Sequence, residues 1–413
     1  MEDVDEFRER ARRWIEDNLE PKVAGEPFSD REANQALQAK LFDAGFSGFA
    51  FPQEYGGAGL TLEHQKAFFD EASAYVTPTI YGVSIGMLAP TLLDHGSEEL
   101  KRRHLPKMLR GEEEFIQLLS EPSGGSDMAG ALTRATRDGD TYVVNGSKMW
   151  SSGAMEATHG MLLARTDWDV PKHRGLSMFV LPLGDYPGVT IEPIKEVNGR
   201  AHFCQEFFDD VVVPAGNLIG QENEGWAVAQ RLLFHERNAT VGIGLGYGYM
   251  NAGGSSARSG ALRGSPAGAL FAAAARRGAA GDPAVRQLIG RAYVDMAAHG
   301  FARRRIMAGQ RTGALVGQWG SLLKLGEGVD SPAYAELAMA VAASDGVIWT
   351  EESPGGAEGL AWMSSRGISI AGGSNEMQRN IISERLLGLP REYDPSRDLA
   401  FSEIQRRRAA PSQ

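Results

Sequence analysis

The sequence predicts an α+β fold in which helices come first, a block of strands second, and helices again to the end. Three observations predict it. Apolar residues recur at helical spacing up to about residue 115. From there to about residue 214, short β-branched and aromatic runs are punctuated by Asp-Gly, Pro-Gly and Asn-Gly turns, and beyond Pro214 the helical period returns. Strands and helices do not alternate, so a doubly wound sheet is excluded. The chain has 413 residues, enough for two or three domains at roughly 150 residues each. The boundaries predicted are an N-terminal helical domain over 1–115, a middle antiparallel barrel or sandwich over 116–220, a C-terminal helical bundle over 221–395 and a tail over 396–413.

Each element follows from its local pattern. Val4, Phe7, Ala11, Trp14 and Ile15 are three or four residues apart with charges opposite, which predicts an amphipathic first helix. The pattern continues through Glu32–Ala44, Leu62–Ala74 and Glu98–Leu109, broken by Phe51-Pro52-Gln53-Glu54-Tyr55-Gly56-Gly57. Strands are predicted over Thr141–Asn145, Gly160–Arg165, Ser177–Leu181, Val189–Ile194, Phe203–Phe208 and Val211–Val213. Helices follow over Trp226–Met250, Pro283–Ala308, Leu315–Glu327 and Pro332–Ile348. The Gly-, Ala-, Ser- and Arg-rich stretch Asn251–Gly281 reads as a surface excursion.

Composition narrows the function. Hydrophobic residues make up 42% and charged ones 23%, as in ordinary globular proteins. Lys and Arg number 42 against 53 Asp and Glu, a net charge of −11, which argues against nucleic acid or an anionic membrane as partner. The single cysteine, Cys204, excludes a disulfide framework and a thiolate metal site. The start is acidic where a targeting peptide would be basic, and no apolar run reaches spanning length, so a cytoplasmic protein is expected.

Several motifs have plain readings. Gly242-Ile243-Gly244-Leu245-Gly246-Tyr247-Gly248 lacks G-x-G-x-x-G spacing and follows a helix, so it reads as a site of close helix packing. The eight histidines show no ligand spacing, and no metal is expected. Cys204 reads as a buried thiol.

Three segments point to chemistry. Gln117-Leu118-Leu119-Ser120-Glu121-Pro122-Ser123-Gly124-Gly125-Ser126-Asp127 offers backbone N–H groups and hydroxyls to an anionic or carbonyl-rich ligand, or is a plain loop. In Gly146-Ser147-Lys148-Met149-Trp150-Ser151-Ser152-Gly153, an indole and the hydroxyl two residues on suit a flat heterocycle, or Trp150 is a core residue. On the helix from Trp226, Ala229, Leu232 and Leu233 share a face with Glu236, where desolvation would raise a carboxyl toward the range of a general base. The alternative for Glu236 is a structural Glu–Arg pair with Arg237.

Taken together, these residues resemble the acyl-CoA dehydrogenase family over nearly the whole chain. The resemblance is carried by Pro52-Gln53-Glu54-Tyr55-Gly56-Gly57-Ala58-Gly59 and by Gly96-Ser97-Glu98-Glu99-Leu100-Lys101. It continues through Ser120-Glu121-Pro122 with Gly125-Ser126-Asp127, and Asp138-Gly139-Asp140 leading to Lys148-Met149-Trp150-Ser151-Ser152. Phe208-Asp209-Asp210-Val211-Val212-Val213-Pro214 and Gly220-Gln221-Glu222-Asn223-Glu224-Gly225-Trp226 follow. The close is Gly372-Gly373-Ser374-Asn375-Glu376-Met377-Gln378 with Leu387-Gly388-Leu389-Pro390-Arg391. Each motif alone is weak; their number and order are specific.

The resemblance implies FAD, held between the middle domain, a C-terminal four-helix bundle and a neighbouring subunit. It places Gln117, Leu119 and Ser120 at the flavin, Gly125 and Ser126 toward phosphate or ribitol, and Trp150 and Ser152 at the N5 and O4 edge. Gly373, Ser374 and Glu376 fall at the pyrophosphate and adenosine end. The reaction implied is α,β-desaturation of an acyl thioester such as acyl-CoA, with the β-hydrogen leaving as hydride to N5 and electrons passing to an electron-transfer flavoprotein.

In much of the family the base is a Glu that would fall at Gly372, which cannot serve. Some members, isovaleryl-CoA and long-chain dehydrogenases among them, carry it on a helix in a Glu-Arg pair, and Glu236-Arg237 matches that arrangement. Arg237 and Ser126 are then the expected substrate-side residues. The missing Arg-x-x-Phe pattern in Asn251–Arg311, and Gln117 in place of an aromatic, resemble a divergent bacterial branch with homo- or heterotetramers. Two alternatives stay open: a flavin monooxygenase or oxidase, and a non-catalytic or half-site subunit supporting a related chain.

Overall fold

In the computed structural model, residues 2–23, 30–241, 244–246, 248–249, 266–348 and 356–409 are described. α1 (Val4–Asn18) starts where the Asp3 carboxylate accepts the Asp5 N–H, and it buries Phe7, Ala11 and Ile15, the stripe read from the sequence. With α2 (Arg31–Asp43) and α3 (Leu62–Glu71) it encloses Phe46, Phe49 and Phe68, whose rings meet at 5.1–5.3 Å. A buried π-helical turn, Ser84–Leu88, leads into α4 (Ala89–His95). α5 (Glu98–Arg110) is capped by the Ser97 hydroxyl and ends at Gly111 with φ 84°.

The middle region is one eight-stranded sheet. Its strands are β1 (Phe115–Leu118), β2 (Arg134–Asp138), β3 (Thr141–Ser152), β4 (His159–Arg165), β5 (Leu176–Pro182), β6 (Val189–Ile194), β7 (Phe203–Pro214) and β8 (Leu218–Ile219). They run in the order β6-β7-β3-β2-β4-β5-β8, with β1 on β4. Most pairs are antiparallel as expected, but β1 runs parallel to β4 over four residue pairs and β2 meets β4 in parallel at Arg134–Arg165. β4 and β5 are buried along nearly their whole length because both faces are covered. Met161, Leu163, Met178 and Val180 face the helices, while Leu162, Ala164, Phe179 and Leu181 face the other strands. The two runs expected at 203–208 and 211–213 are one strand. Asp210, at φ 48°, joins them and exchanges two hydrogen bonds with Asn145 while the β3 register slips.

The chain forms two units, Met1–Gly253 with Tyr393–Gln413, and Gly254–Glu392. α6 (Gly225–Val241) belongs to the first, buried through Val228, Ala229 and Leu232 with residues of α4, α5 and β5. The second unit contains α7 (Pro266–Arg276), α8 (Pro283–Arg311), α9 (Gly320–Ala342), α10 (Gly356–Ile368) and α11 (Asn375–Ile381). Helical regions thus flank the sheet in sequence.

Three local expectations change. Part of the expected surface excursion is α7, which buries Leu270, Ala273 and Ala274 against Val285 and Val341; the remainder, 251–265, lies outside the described residues, as do 242, 243 and 247 of the glycine-rich stretch 242–248 and 250 of the expected helix end. The alanines that made this stretch look featureless are strong helix formers. The helices expected at 315–327 and 332–348 are largely the single α9, which continues through a buried Pro332. In the tail, α12 (Phe401–Ala409) docks on the loop after β4: the Phe401 N–H donates to Val170 O at 2.9 Å and the Ser402 N–H to Trp168 O at 2.7 Å. The Phe401 ring lies 3.7 Å from the buried Arg165 guanidinium. Among the described residues, no helix is long and apolar enough to cross a membrane.

Gly225 sets how closely α6 approaches β5. A Cβ there would fall 2.5 Å from the Ser177 backbone. Gly225→Ala is expected to push the helix start off the strand and lower stability by about 1–3 kcal/mol, read as a lower thermal midpoint.

Candidate active site

The segment leaving β1 is fastened to the end of β3 by three hydrogen bonds. Ser151 Oγ lies 3.1 Å from Gln117 O, Lys148 Nζ donates to Leu119 O at 3.1 Å, and the Met149 N–H donates to Ser120 O at 3.0 Å. Lys148 is in phase with the core positions Tyr142 and Val144, so it too is fully buried. Its charge is met by Glu121 Oε1 at 2.8 Å. The Glu121 carboxylate also accepts the N–H groups of Leu132 at 2.6 Å and Thr133 at 2.9 Å. Burial alone would raise Glu121, but the Lys148 charge and these donors outweigh it and hold the carboxyl below its ordinary value. Burial pulls Lys148 down against the opposing pull of Glu121.

Trp150 sits at a bulge. The β3–β7 register slips between Met149 and Ser151, Trp150 has φ 69°, and its indole is 52% exposed with one edge against Phe203. A bulky residue held at positive φ is strained, and such strain persists where the surroundings impose it. The bulge also breaks strict alternation, so sequence position alone no longer puts Trp150 and Ser152 on one side. Ser151 is buried while Ser152 is only half-buried.

Glu236 meets this assembly from α6. Gln117 Nε2 donates to Glu236 Oε2 at 3.3 Å and lies 3.6 Å from Met87 Sδ. The carboxylate is half-buried and shares its helix face with the buried Ala229 and Leu232, as the spacing predicts. Arg237 is half-buried as well; burial pulls its guanidinium down and the neighbouring Glu236 opposes that. Just before them, His235 turns to Asp94 on α4 at 2.7 Å, with Arg231 on the same carboxylate, and ties the helix down.

The structure therefore brings Gln117, Leu119, Ser120 and Glu236 together with the strand end carrying Trp150 and Ser152. Gly125 and Ser126 are exposed on the turn that follows the Glu121–Gly124 bridge. A Cβ on Gly125 would meet nothing within 4 Å, so neither packing nor φ demands glycine there. Gly373, Ser374 and Glu376 belong to the second unit: Gly373 has φ 87°, the Ser374 hydroxyl accepts the Met377 N–H at 3.3 Å to cap α11, and the exposed Glu376 pairs with Arg379. Sequence reasoning named Lys148 and Ser151 only as motif members and assigned nothing to Glu121 or Glu206. The phase of Lys148 with Tyr142 and Val144 was the available signal; the bulge that buries Ser151 had none.

Folding also gathers His104, Glu113 and His159, whose ligand atoms lie within 4.8 Å of one another. His104 spends both ring nitrogens, Nδ1 on Glu113 at 2.6 Å and Nε2 on the Arg103 Nε–H at 3.1 Å, and Lys107 pairs with Glu113 as well. The cluster is a buried ion-pair network with no lone pair free on His104 for a metal.

Comparison with known proteins shows the family. Three family models match in order: acyl-CoA dehydrogenase N-terminal domain over residues 1–112, middle domain over 117–211, and C-terminal domain over 223–387. The chain is 36% identical over 404 residues to the acyl-CoA dehydrogenase IpdE1 of Mycobacterium tuberculosis, covering 95% of this chain and 99% of the relative. Among solved structures it is similar to the Tcur3481-Tcur3483 steroid ACAD, with TM-score 0.71 and 26% identity over 94% of this chain and 98% of that one. It is similar to the same degree to the ChsE4-ChsE5 complex of Mycobacterium tuberculosis, with TM-score 0.71 and 27% identity over 94% and 98%.

The buried pair beneath the site has a measurable consequence. Lys148→Met leaves the Glu121 carboxylate without its cation and is expected to cost about 3–5 kcal/mol in urea unfolding. Adding Glu121→Gln should return part of that loss.

Proposed function

The chain belongs to the acyl-CoA dehydrogenase family, and we propose that it is an FAD-dependent enzyme that introduces an α,β double bond into an acyl-CoA, with Glu236 as the base. The observation that carries this reading is the Glu236 carboxylate, held by the Gln117 amide against the strand end that presents Trp150. The residues fit a flavin: an exposed indole fixed at a strained bulge offers a flat face, and Gly125 leaves its loop backbone open to close approach. Leu119, Ser120, Gly125, Ser126, Trp150 and Ser152 would hold it, with Gly373, Ser374 and Glu376 as further candidates. FAD, when bound, supplies the acceptor for the hydride that leaves the β-carbon.

The chain's own part is proton removal and orientation. Glu236 takes the α-proton, and the pair of electrons left behind becomes the new double bond. Gln117 directs one carboxylate oxygen, and Arg237 beside it is the candidate for the substrate side. Electrons then pass to an electron-transfer flavoprotein. Because the similar solved structures are described as a steroid ACAD and as a two-chain complex, we extend the proposal to a bulky polycyclic acyl group and to assembly with a related chain.

Anaerobic titration of the yellow holoprotein with a panel of acyl-CoAs tests this. Bleaching is expected with a polycyclic acyl-CoA, restored quickly by an electron acceptor and slowly by oxygen; fast reoxidation by oxygen would favour an oxidase. Glu236→Gln should keep its FAD and lose about 10²–10⁴-fold in the rate of flavin reduction. Normal turnover by that variant would refute the base assignment.

A further inference from the structure

Behind Gln117 lies a carboxyl group that the proposed reaction does not use. Glu206, on β7, is fully buried and stands opposite Lys148 across the β3–β7 ladder. Lys148 nevertheless directs its ammonium to Leu119 O and Glu121. The contact of Glu206 is with Ser151: Oε2 lies 3.1 Å from Ser151 Oγ, while Oε1 has no hydrogen-bond partner among the described residues.

Counting protons decides the state of this group. Ser151 Oγ is 3.1 Å from Gln117 O and 3.1 Å from Glu206 Oε2, and a hydroxyl has one proton to give. Were Glu206 ionised, both neighbours would be pure acceptors. One short contact would then set lone pair against lone pair, and Oε1 of a buried carboxylate would be left without a donor. A proton on Oε2 satisfies everything at once: Glu206 donates to Ser151, Ser151 donates to Gln117 O, and only a neutral carbonyl oxygen is left alone.

We propose that Glu206 is a neutral carboxylic acid in the folded protein and a positioning residue for the active site, its proton held through Ser151 so that Gln117 is fixed against Glu236. The chain of contacts runs Glu206, Ser151, Gln117 carbonyl and, through the same residue's side-chain amide, Glu236. Burial supports this by pushing the Glu206 carboxyl up to about 7, against smaller downward pulls from the Ser151 bond, the residue's own backbone N–H and Lys148. The other titratable groups near it are Cys204 on the same strand, and Glu121 on the far side of Lys148. The folded state holds this proton between the ordinary carboxyl value of 4.5 and about 7, where the unfolded chain has released it. Its contribution to stability therefore falls as pH rises through that window and stays lost above it.

The protonation state does not depend on Glu236 being the base; only the catalytic consequence rests on that reading. Infrared difference spectra of the holoprotein should show the carbonyl stretch of a buried carboxylic acid just below neutrality. The band should be absent from Glu206→Gln and should disappear well above neutrality. Identical spectra for the two proteins would overturn the protonation. Glu206→Leu and Ser151→Ala should slow flavin reduction by an acyl-CoA about tenfold or more through kcat, with KM little changed. Glu206→Gln, whose amide can still donate to Ser151, should recover most of the Glu206→Leu loss. Should Glu206→Leu fail to fold, Ser151→Ala carries this arm. Unchanged rates in the Leu and Ala variants would overturn positioning even with the band in place. A failure of the base assignment would instead appear as normal reduction by Glu236→Gln with the Glu206 band intact.

Discussion

The site depends on one buried ion pair. Lys148 and Glu121 face each other with almost no solvent contact, and each is tied to backbone: Lys148 to Leu119 O, Glu121 to the N–H groups of Leu132 and Thr133. Such a pair adds little net stability, because desolvation of both charges offsets their attraction. What it does is specify. The strand-end carbonyl at Leu119 and the loop at 132–133 are held to the same two side chains, so the segment between them can leave the sheet without losing its place. Every candidate ligand from Gln117 to Ser126 lies on or beside that segment.

A second constraint brings the carboxylate to it. β4 and β5 are apolar on both faces, and the face away from the other strands needs a cover. α6 supplies part of it with Val228, Ala229 and Leu232, and the lack of a side chain at Gly225 lets the helix start directly on the β5 backbone. Burial of one helix stripe thus also delivers Glu236, one turn beyond Leu232, to the Gln117 amide at 3.3 Å. Stability and placement of the proposed base are consequences of the same packing.

The polar groups under the site are economical with protons. Lys148 serves Leu119 and Glu121, Ser151 bridges Gln117 and Glu206, and the Gln117 amide reaches Glu236. In a low-dielectric interior, each group that lacks its donor is costly, so the whole set favours one arrangement. The strained Trp150 at φ 69° is carried by this framework, since residues on both sides of it, Met149 and Ser151, are bonded to the β1 segment.

Local pattern was enough for the order of helices, strands and helices, for the amphipathic first helix, and for Glu236 on the apolar face of its helix, because helical and strand periods are written in neighbouring residues. The motifs carried the family as well. Folding alone decided that Asp210 joins two runs into one strand, that 266–276 is helix, and that 401–409 docks on the loop after β4. It alone also buried Ser151, exposed Trp150 beside it, and set Glu206 behind Gln117 across strands far apart in the chain. A bulge displaces every later side chain on its strand, and a proton shared across strands depends on distances that no local spacing encodes.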